Sequence, residues 1–154
     1  MKIFLTDNGS LRPQAVFSLR KLAKDLSQSL KMGVSPASLL HTERIPAKDI
    51  GGQAAPILET QLRNLLEAGE RQFWVLPLFF GPSRAITEYL PAVQSRLTSR
   101  YGSFELKVAP CLVSPDQPNT IEAVGRLLLD GIRQTLGSRE KTSAGILLVD
   151  HGTP

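Results

Sequence analysis

At 154 residues and 16.8 kDa, the chain has the length of one domain and can bury a core without metal or disulfide staples. Its 42% hydrophobic and 21% charged residues, with a mean hydropathy of -0.05, exclude a disordered chain. A net charge of +4, spread as +3 over residues 1–77 and +1 over 78–154, is no nucleic-acid footprint, and the single cysteine, Cys111, excludes an internal disulfide. The longest apolar run, Phe73–Phe80, is too short to span a bilayer, and Met1-Lys2 leads straight into a strand pattern instead of a signal peptide. The expectation is a soluble cytoplasmic protein with no membrane and no nucleic-acid partner.

Short apolar runs alternate with longer stretches of helical period, the pattern of βαβ units on a parallel sheet. Ile3–Thr6 predicts a first strand, ended by Asp7-Asn8-Gly9-Ser10. Ser10 is the expected N-cap of the following helix, with Pro13 in its first turn, where a missing N–H costs nothing. Ala15, Val16, Leu19, Leu22, Ala23, Leu26 and Leu30 then recur at helical spacing. A second strand is predicted over Ala37–His41, a long mobile loop over Thr42–Gln53, and a helix over Ala54–Ala68 that stops at Gly69. Gln72–Phe79 has no polar face and reads as the central strand; Pro77 removes a ladder donor, so its end should bulge or leave the sheet beside a site. Gly81-Pro82-Ser83 turns into a helix containing Ile86, Tyr89, Leu90, Val93 and Leu97, with a kink or restart at Pro91. Phe104–Ala109 and Thr120–Leu136 complete the pattern as a fourth strand and a last helix. The fold class is therefore α/β: a doubly wound, mainly parallel four-stranded sheet with helices on both faces.

A fifth apolar run, Gly145–Val149, leads into Asp150-His151-Gly152-Thr153-Pro154. Laid over Ile3–Ser10, the stretch Ile146–Thr153 gives four identities in eight positions, at Ile, Leu, Asp and Gly. This internal repeat divides the chain into an α/β lobe over 1–137 and, over 138–154, a linker with the first strand of a second, truncated repeat. The reading frame is expected to continue.

Open α/β sheets bind ligands just past the carboxyl ends of their strands. The positions to inspect are Asp7–Ser10, His41–Glu43, Gly81–Arg84 and Pro110–Cys111. Neither G-x-G-x-x-G nor G-x-x-x-x-G-K-[ST] occurs, and two histidines cannot make a three-histidine zinc site, so no tightly bound cofactor is expected. A metal pair of His41 and Glu43 is disfavoured, because two ligands in a mobile loop fall well short of a metal site. Cys111 reads as a small buried thiol near the crevice.

The order and spacing of the motifs resemble the class II tetrapyrrole chelatases, the sirohydrochlorin cobaltochelatases and ferrochelatases, over nearly the whole chain. Those proteins open with a strand followed by His-Gly-Ser or His-Gly-Thr, matched in part by Asn8-Gly9-Ser10 and fully by His151-Gly152-Thr153. Their third strand ends in Pro-Leu-Phe and leads into a helix ending Asp-Ile-Pro; here stand Pro77-Leu78-Phe79 and Tyr89-Leu90-Pro91. The fourth strand, ending at Ala109-Pro110, also fits.

The resemblance implies insertion of a divalent metal, Co2+, Fe2+ or Ni2+ as substrate, into a tetrapyrrole during cobalamin or sirohaem (porphyrin-type) synthesis, a lyase reaction. It implies two metal-facing histidines, and the sequence departs there: the first falls at Asn8 and the second near Ala85. An amide is a poor ligand and a poor base, and a methyl group is neither. His151 occupies the catalytic and metal-binding position of the second repeat, so this half alone is expected to be weak or inactive as an enzyme. For a multiply carboxylated substrate, Arg12 and Arg84 are the expected clamps, with backbone N–H groups at Gly9, Ser10 and Ser83, and Phe80 and Leu11 as the apolar floor. Two lobes must face each other to enclose so large a ligand, which implies a homodimer or pairing with the chain's own second lobe. The alternatives are a noncatalytic tetrapyrrole-binding, metal-binding or dimerisation lobe, and an unrelated module that recognises a small phosphorylated ligand at the helix start near Ser10.

Overall fold

Strand β1 (Lys2–Asp7) sends Phe4 and Thr6 to one face of the sheet and Ile3 and Leu5 to the other, and helices cover both faces. That two-sided burial is why its sequence is continuously apolar instead of alternating. In the computed structural model, which describes residues 1–114 and 116–136, β1 pairs in parallel with β2 (Val34–Ser38) on one side and β3 (Gln72–Pro77) on the other. Strand β4 (Glu105–Val108) adds in parallel to β3, giving the order β2-β1-β3-β4. The predicted strand Gly145–Val149, the repeat that contains it and His151 lie outside the described residues.

The helices divide between the faces as a doubly wound sheet requires. Helix α1 (Pro13–Leu30) packs Leu19 and Ala23 against Leu5 and Val34. Helices α2 (Leu58–Glu67) and α3 (Leu90–Tyr101) cover the opposite face, placing Leu58, Leu62, Leu66, Leu90, Val93 and Leu97 over Phe4, Phe73 and Val75. Phe73 anchors this larger cluster, with ring centroids 6.5 Å from Phe4 and 5.8 Å, edge-on, from Phe104. The last helix, α4 (Pro118–Leu136), leaves Ile121, Leu127, Leu128 and Leu129 about half or more exposed. Among the described residues, none of the helices is long and apolar enough to cross a membrane.

Several boundaries differ from the sequence expectation, each for an identifiable reason. The second strand is Val34–Ser38, not Ala37–His41. Pro36 lies within it because an edge strand has one side with no ladder to donate to. Helix α2 starts at Leu58, not Ala54: Pro56 holds the residue before it extended, and Ile57 remains extended at φ -68, ψ 163. The stretch Thr42–Gln53 is no mobile loop. It forms two single 3-10 turns, Thr42–Arg44 and Ala47–Ile50, and buries Ile45 and Ile50 with Val16. The Arg20 guanidinium ties it down further, donating to the carbonyls of Ile50 and Gln53 at 2.6 Å each.

Strand β3 is interior, as expected, but it does have an open face. Trp74 is 37% exposed beside Lys107, whose Nζ lies 5.5 Å from the ring centroid. Pro77 is the last paired residue of β3, after which the chain leaves the sheet. Pro91 acts as a restart: residues Ala85–Tyr89 form a widened π turn before α3 begins at Leu90. A proline ring crowds the preceding turn and supplies no N–H, so the backbone opens there.

Candidate functional site

Because α1 lies on one face and α3 on the other, the chain turns in opposite directions after β1 and after β3, and a crevice opens between the two strand ends. The strands stay joined to their limit, where Leu78 N donates to Thr6 O at 2.7 Å. Beyond this point run the loop Asn8–Arg12 and the loop Leu78–Arg84. The second is braced by the segment after β4: Leu112 N and Val113 N donate to the carbonyls of Phe79 and Phe80 at 2.8 Å each.

The structure brings most of the residues singled out from the sequence to this one end of the sheet. Leu11 and Phe80 are 60% and 64% exposed, so each of the two loops presents a large apolar side chain to solvent. Arg12 lies beside Leu11, also exposed. Arg84 pairs with Glu88 at 3.0 Å with its side chain 88% exposed, and a pair that open is weak enough to exchange for another anion. Ser83 starts the π turn, its carbonyl accepting from Ile86 N at 2.8 Å and Thr87 N at 2.9 Å. Asn8 is exposed, whereas Ala85 is half-buried against the core under α2 and α3. Ser10 is not the N-cap: α1 begins at Pro13 with Arg12 in the capping place, and Ser10 Oγ accepts from Arg12 N at 3.1 Å, before the helix. The helix-start N–H groups expected at Gly9 and Ser10 therefore belong to a loop that precedes the helix.

Gly9 has a stricter role than its motif suggests. At φ +91 it lies so close to the neighbouring loop that a Cβ there would stand 1.9 Å from Leu40 O. This close approach joins the loop after β1 to the loop after β2, with Leu39 N donating to Asp7 O at 2.9 Å and Leu40 N to Asn8 O at 3.1 Å.

Four features become visible only in the structure. Thr6 Oγ1, Asp7 Oδ1 and Ser83 Oγ are buried and without a hydrogen-bond partner, all at the carboxyl end of β1 or just past β3. Orphan polar atoms of this kind require an explanation, and sites that receive a ligand supply one. A Thr-Asp pair at the end of an otherwise apolar strand was the available signal. The fourth is His41, at φ 71, ψ -38, with Thr42 N donating to Leu40 O at 2.9 Å across it. This is a γ-turn of the rare, strained hand. The residue before His41, Leu40, is bonded to Asn8. On the neighbouring π turn, burial, followed by the carboxylates of Glu59 and Glu43, pushes the Tyr89 phenol above its ordinary value against the opposing Arg96 charge; the phenol is protonated at neutral pH. Burial likewise pushes the Cys111 thiol up, leaving it a poor nucleophile.

Among the described residues, a cavity lies elsewhere. A hollow of about 230 Å3 sits between α1, β2 and the 53–56 segment, lined by Val16, Arg20, Ser38, Thr42, Ala55 and Gln61. Its guanidinium is already engaged by backbone carbonyls, and Gln61 Nε2 donates to the carbonyls of Pro36 and Pro56. These groups brace the segment and leave little donor capacity for a ligand. The switch point, where the loops after β1 and β3 diverge, is the better candidate. Among the described residues, no three His, Cys, Asp or Glu side chains gather as a metal site.

No protein-family model and no curated protein matches the chain. Among solved structures, it is similar to a protein from Marinobacter aquaeolei VT8 described as a "putative cobalamin (vitamin B12) biosynthesis CbiX protein", with 22% sequence identity and a TM-score of 0.61. The match covers 86% of this chain and 98% of the other. The chain thus shares the fold of that protein, which in this chain is a four-stranded parallel sheet with helices on both faces.

Proposed function

We propose that this chain is a chelatase-like lobe that receives a carboxylated tetrapyrrole of the sirohydrochlorin type, for insertion of a divalent metal in cobalamin or sirohaem synthesis. The observation that carries the reading is the pairing of exposed apolar and cationic side chains on the two loops of the switch point: Leu11 with Arg12, and Phe80 with Arg84. A flat, largely apolar ring with acidic arms calls for that combination. The likeness to a CbiX protein and the Pro77-Leu78-Phe79 motif beside the crevice support it. The metal, Co2+, Fe2+ or Ni2+, is substrate, and no tightly bound cofactor is required. With an amide at Asn8 and a methyl at Ala85, metal insertion by this lobe is slow. Those two side chains also favour the second reading, a lobe that binds a tetrapyrrole without catalysis.

The test is an absorbance titration with sirohydrochlorin. Binding in the micromolar range is expected, and Arg84→Ala should weaken it about tenfold, the loss of one charge-assisted hydrogen bond. A spectrum unchanged by the protein would end the tetrapyrrole reading, and an unchanged affinity in Arg84→Ala would remove that residue's role. Cobalt insertion, followed in the same cuvette, separates a chelatase from a binding lobe.

A second copy of the chain is the proposed partner. The apolar side chains on α4 (Ile121, Leu127, Leu128 and Leu129) and the open sheet face at Trp74 and Val108, 37% and 41% exposed, are large for a monomer's surface. A two-fold dimer in which each copy covers the other's apolar surface removes both from water. Sedimentation equilibrium should show a dimer at tens of micromolar (about 50 μM), and a monomer at that concentration would overturn the assignment.

A further inference from the structure

We propose that the free edge of β4 is a self-pairing surface, on which the β4 strand of a second copy docks antiparallel about a two-fold axis at Leu106. The inference rests on the two-copy reading above, whose contact it names, and does not depend on the tetrapyrrole. The first observation is that the sheet closes one edge and leaves the other open. At the β2 edge, Leu39 N donates to Asp7 O, so strand alternation turns Val34 and Pro36 outward. Val34 N donates to Ser27 Oγ at 2.9 Å, Pro36 has no N–H, and its carbonyl accepts from Gln61 Nε2 at 3.1 Å. These devices withhold that edge from another strand.

The β4 edge is different. Glu105 N donates to Arg71 O at 2.8 Å and Ala109 N to Val75 O at 2.9 Å. The N–H and carbonyl groups of Leu106 and Val108 therefore point away from β3. Among the described residues, no strand pairs with that side, and Val108 is 41% exposed.

The second observation is that the side chains there complement themselves. A lysine on an edge strand ordinarily repels a second copy. Here Lys107 shares its face with Glu105, their charged groups 2.8 Å apart. An antiparallel partner in register about Leu106 sets each Glu105 opposite the partner's Lys107. Those are the non-hydrogen-bonded positions of the ladder, where facing side chains approach most closely. Leu106 then exchanges N–H to carbonyl bonds with the partner's Leu106, and Val108 with the partner's Phe104. On the opposite face, Phe104 and Leu106 already pack against the cluster beneath α2 and α3, so a second copy extends that apolar surface. Pro110, with no N–H, ends the ladder. A contact this short makes a weak, reversible pair, in keeping with a dimer at tens of micromolar.

The experiment uses the full chain in sedimentation equilibrium at about 50 μM. Glu105→Lys sets lysine against lysine at both symmetry-related contacts, and Lys107→Glu sets glutamate against glutamate. Each variant alone should dissociate at least about tenfold more readily than wild type. Mixed in equal amounts, the two should recover a dimer of wild-type strength, because every contact again joins a lysine to a glutamate. Both side chains are about half exposed, so the variants should fold, which circular dichroism checks. Wild type supplies an independent measurement: amide exchange at Leu106 and Val108 should slow about fivefold as the concentration is raised about 100-fold. Variants that dimerise like wild type, or a mixture that stays monomeric, would overturn the edge contact and leave the two-copy reading standing. Exchange at Leu106 and Val108 that ignores concentration in a dimeric sample would do the same. A wild-type chain that is monomeric at about 50 μM would overturn both.

Discussion

Gly9→Ala is expected to destabilise the protein by about 2–4 kcal/mol, one of the largest losses open to a single methyl group here. Two effects add. An alanine at φ +91 is strained by itself, at a cost of about 1–2 kcal/mol. Its Cβ would also stand 1.9 Å from Leu40 O, a backbone atom that cannot rotate away. Relief requires the two loops to separate, breaking the 3.1 Å bond from Leu40 N to Asn8 O and adding about 1–2 kcal/mol. Gly69 supplies the control: it has the same φ of +91 with nothing within 4 Å of its virtual Cβ. Gly69→Ala should therefore cost only the conformational part, about 1 kcal/mol. Thermal denaturation should separate the pair, with melting temperatures lowered by roughly 10 °C and 3 °C respectively. Equal shifts would show that the approach of Gly9 to Leu40 is not what holds the loops together. Because His41 follows Leu40, Gly9→Ala should also disturb the crevice, and its tetrapyrrole affinity should fall along with its stability.

Asn8→His combined with Ala85→His is expected to raise cobalt insertion into sirohydrochlorin by about 100-fold, a barrier lowered by about 2.7 kcal/mol. Asn8 lies on the loop after β1 and Ala85 begins the π turn after β3, the two positions at which the resemblance to tetrapyrrole chelatases implies imidazoles. A neutral imidazole can hold the cation or accept a pyrrole proton; an amide and a methyl group do neither. The gain should fade as pH drops below about 6.5, since an imidazolium has no lone pair to offer. Asn8 is exposed and accepts a larger side chain readily, whereas Ala85 is half-buried on the widened turn. The melting temperature of each single variant therefore belongs in the measurement. A folded double variant that binds the tetrapyrrole yet inserts cobalt no faster would show that the loops do not hold a chelatase geometry, and the noncatalytic reading would prevail.

The alternation of strand and helix patterns, the parallel sheet and the interior place of β3 were legible in the sequence, because each rests on local hydrophobic period and on turn residues. That Arg12, Phe80 and Arg84 follow the carboxyl ends of β1 and β3 was legible as well, since each strand leads directly into the loop that carries them. Boundaries set by proline at an edge were less so. Pro36 looked like a break in the sequence and became part of β2, because edge position is decided by partners far along the chain. The segment 42–53 looked mobile from its glycines and proline, yet Ile45 and Ile50 are buried and Arg20 is bonded across it.

What the amino-acid order alone determined was chemical inventory and period: an α/β lobe, an amide and a methyl in the expected histidine positions, and arginines on the loops after β1 and β3. Only the tertiary structure decided that the loop after β2 is bonded to the loop after β1, that Gly9 must be glycine, and that the chain holds His41 in a strained turn. The reason is the range of the interactions involved. Period and turn preference act over a few residues, whereas the approach of Leu40 to Gly9 joins segments about thirty residues apart through a contact that neither segment encodes by itself.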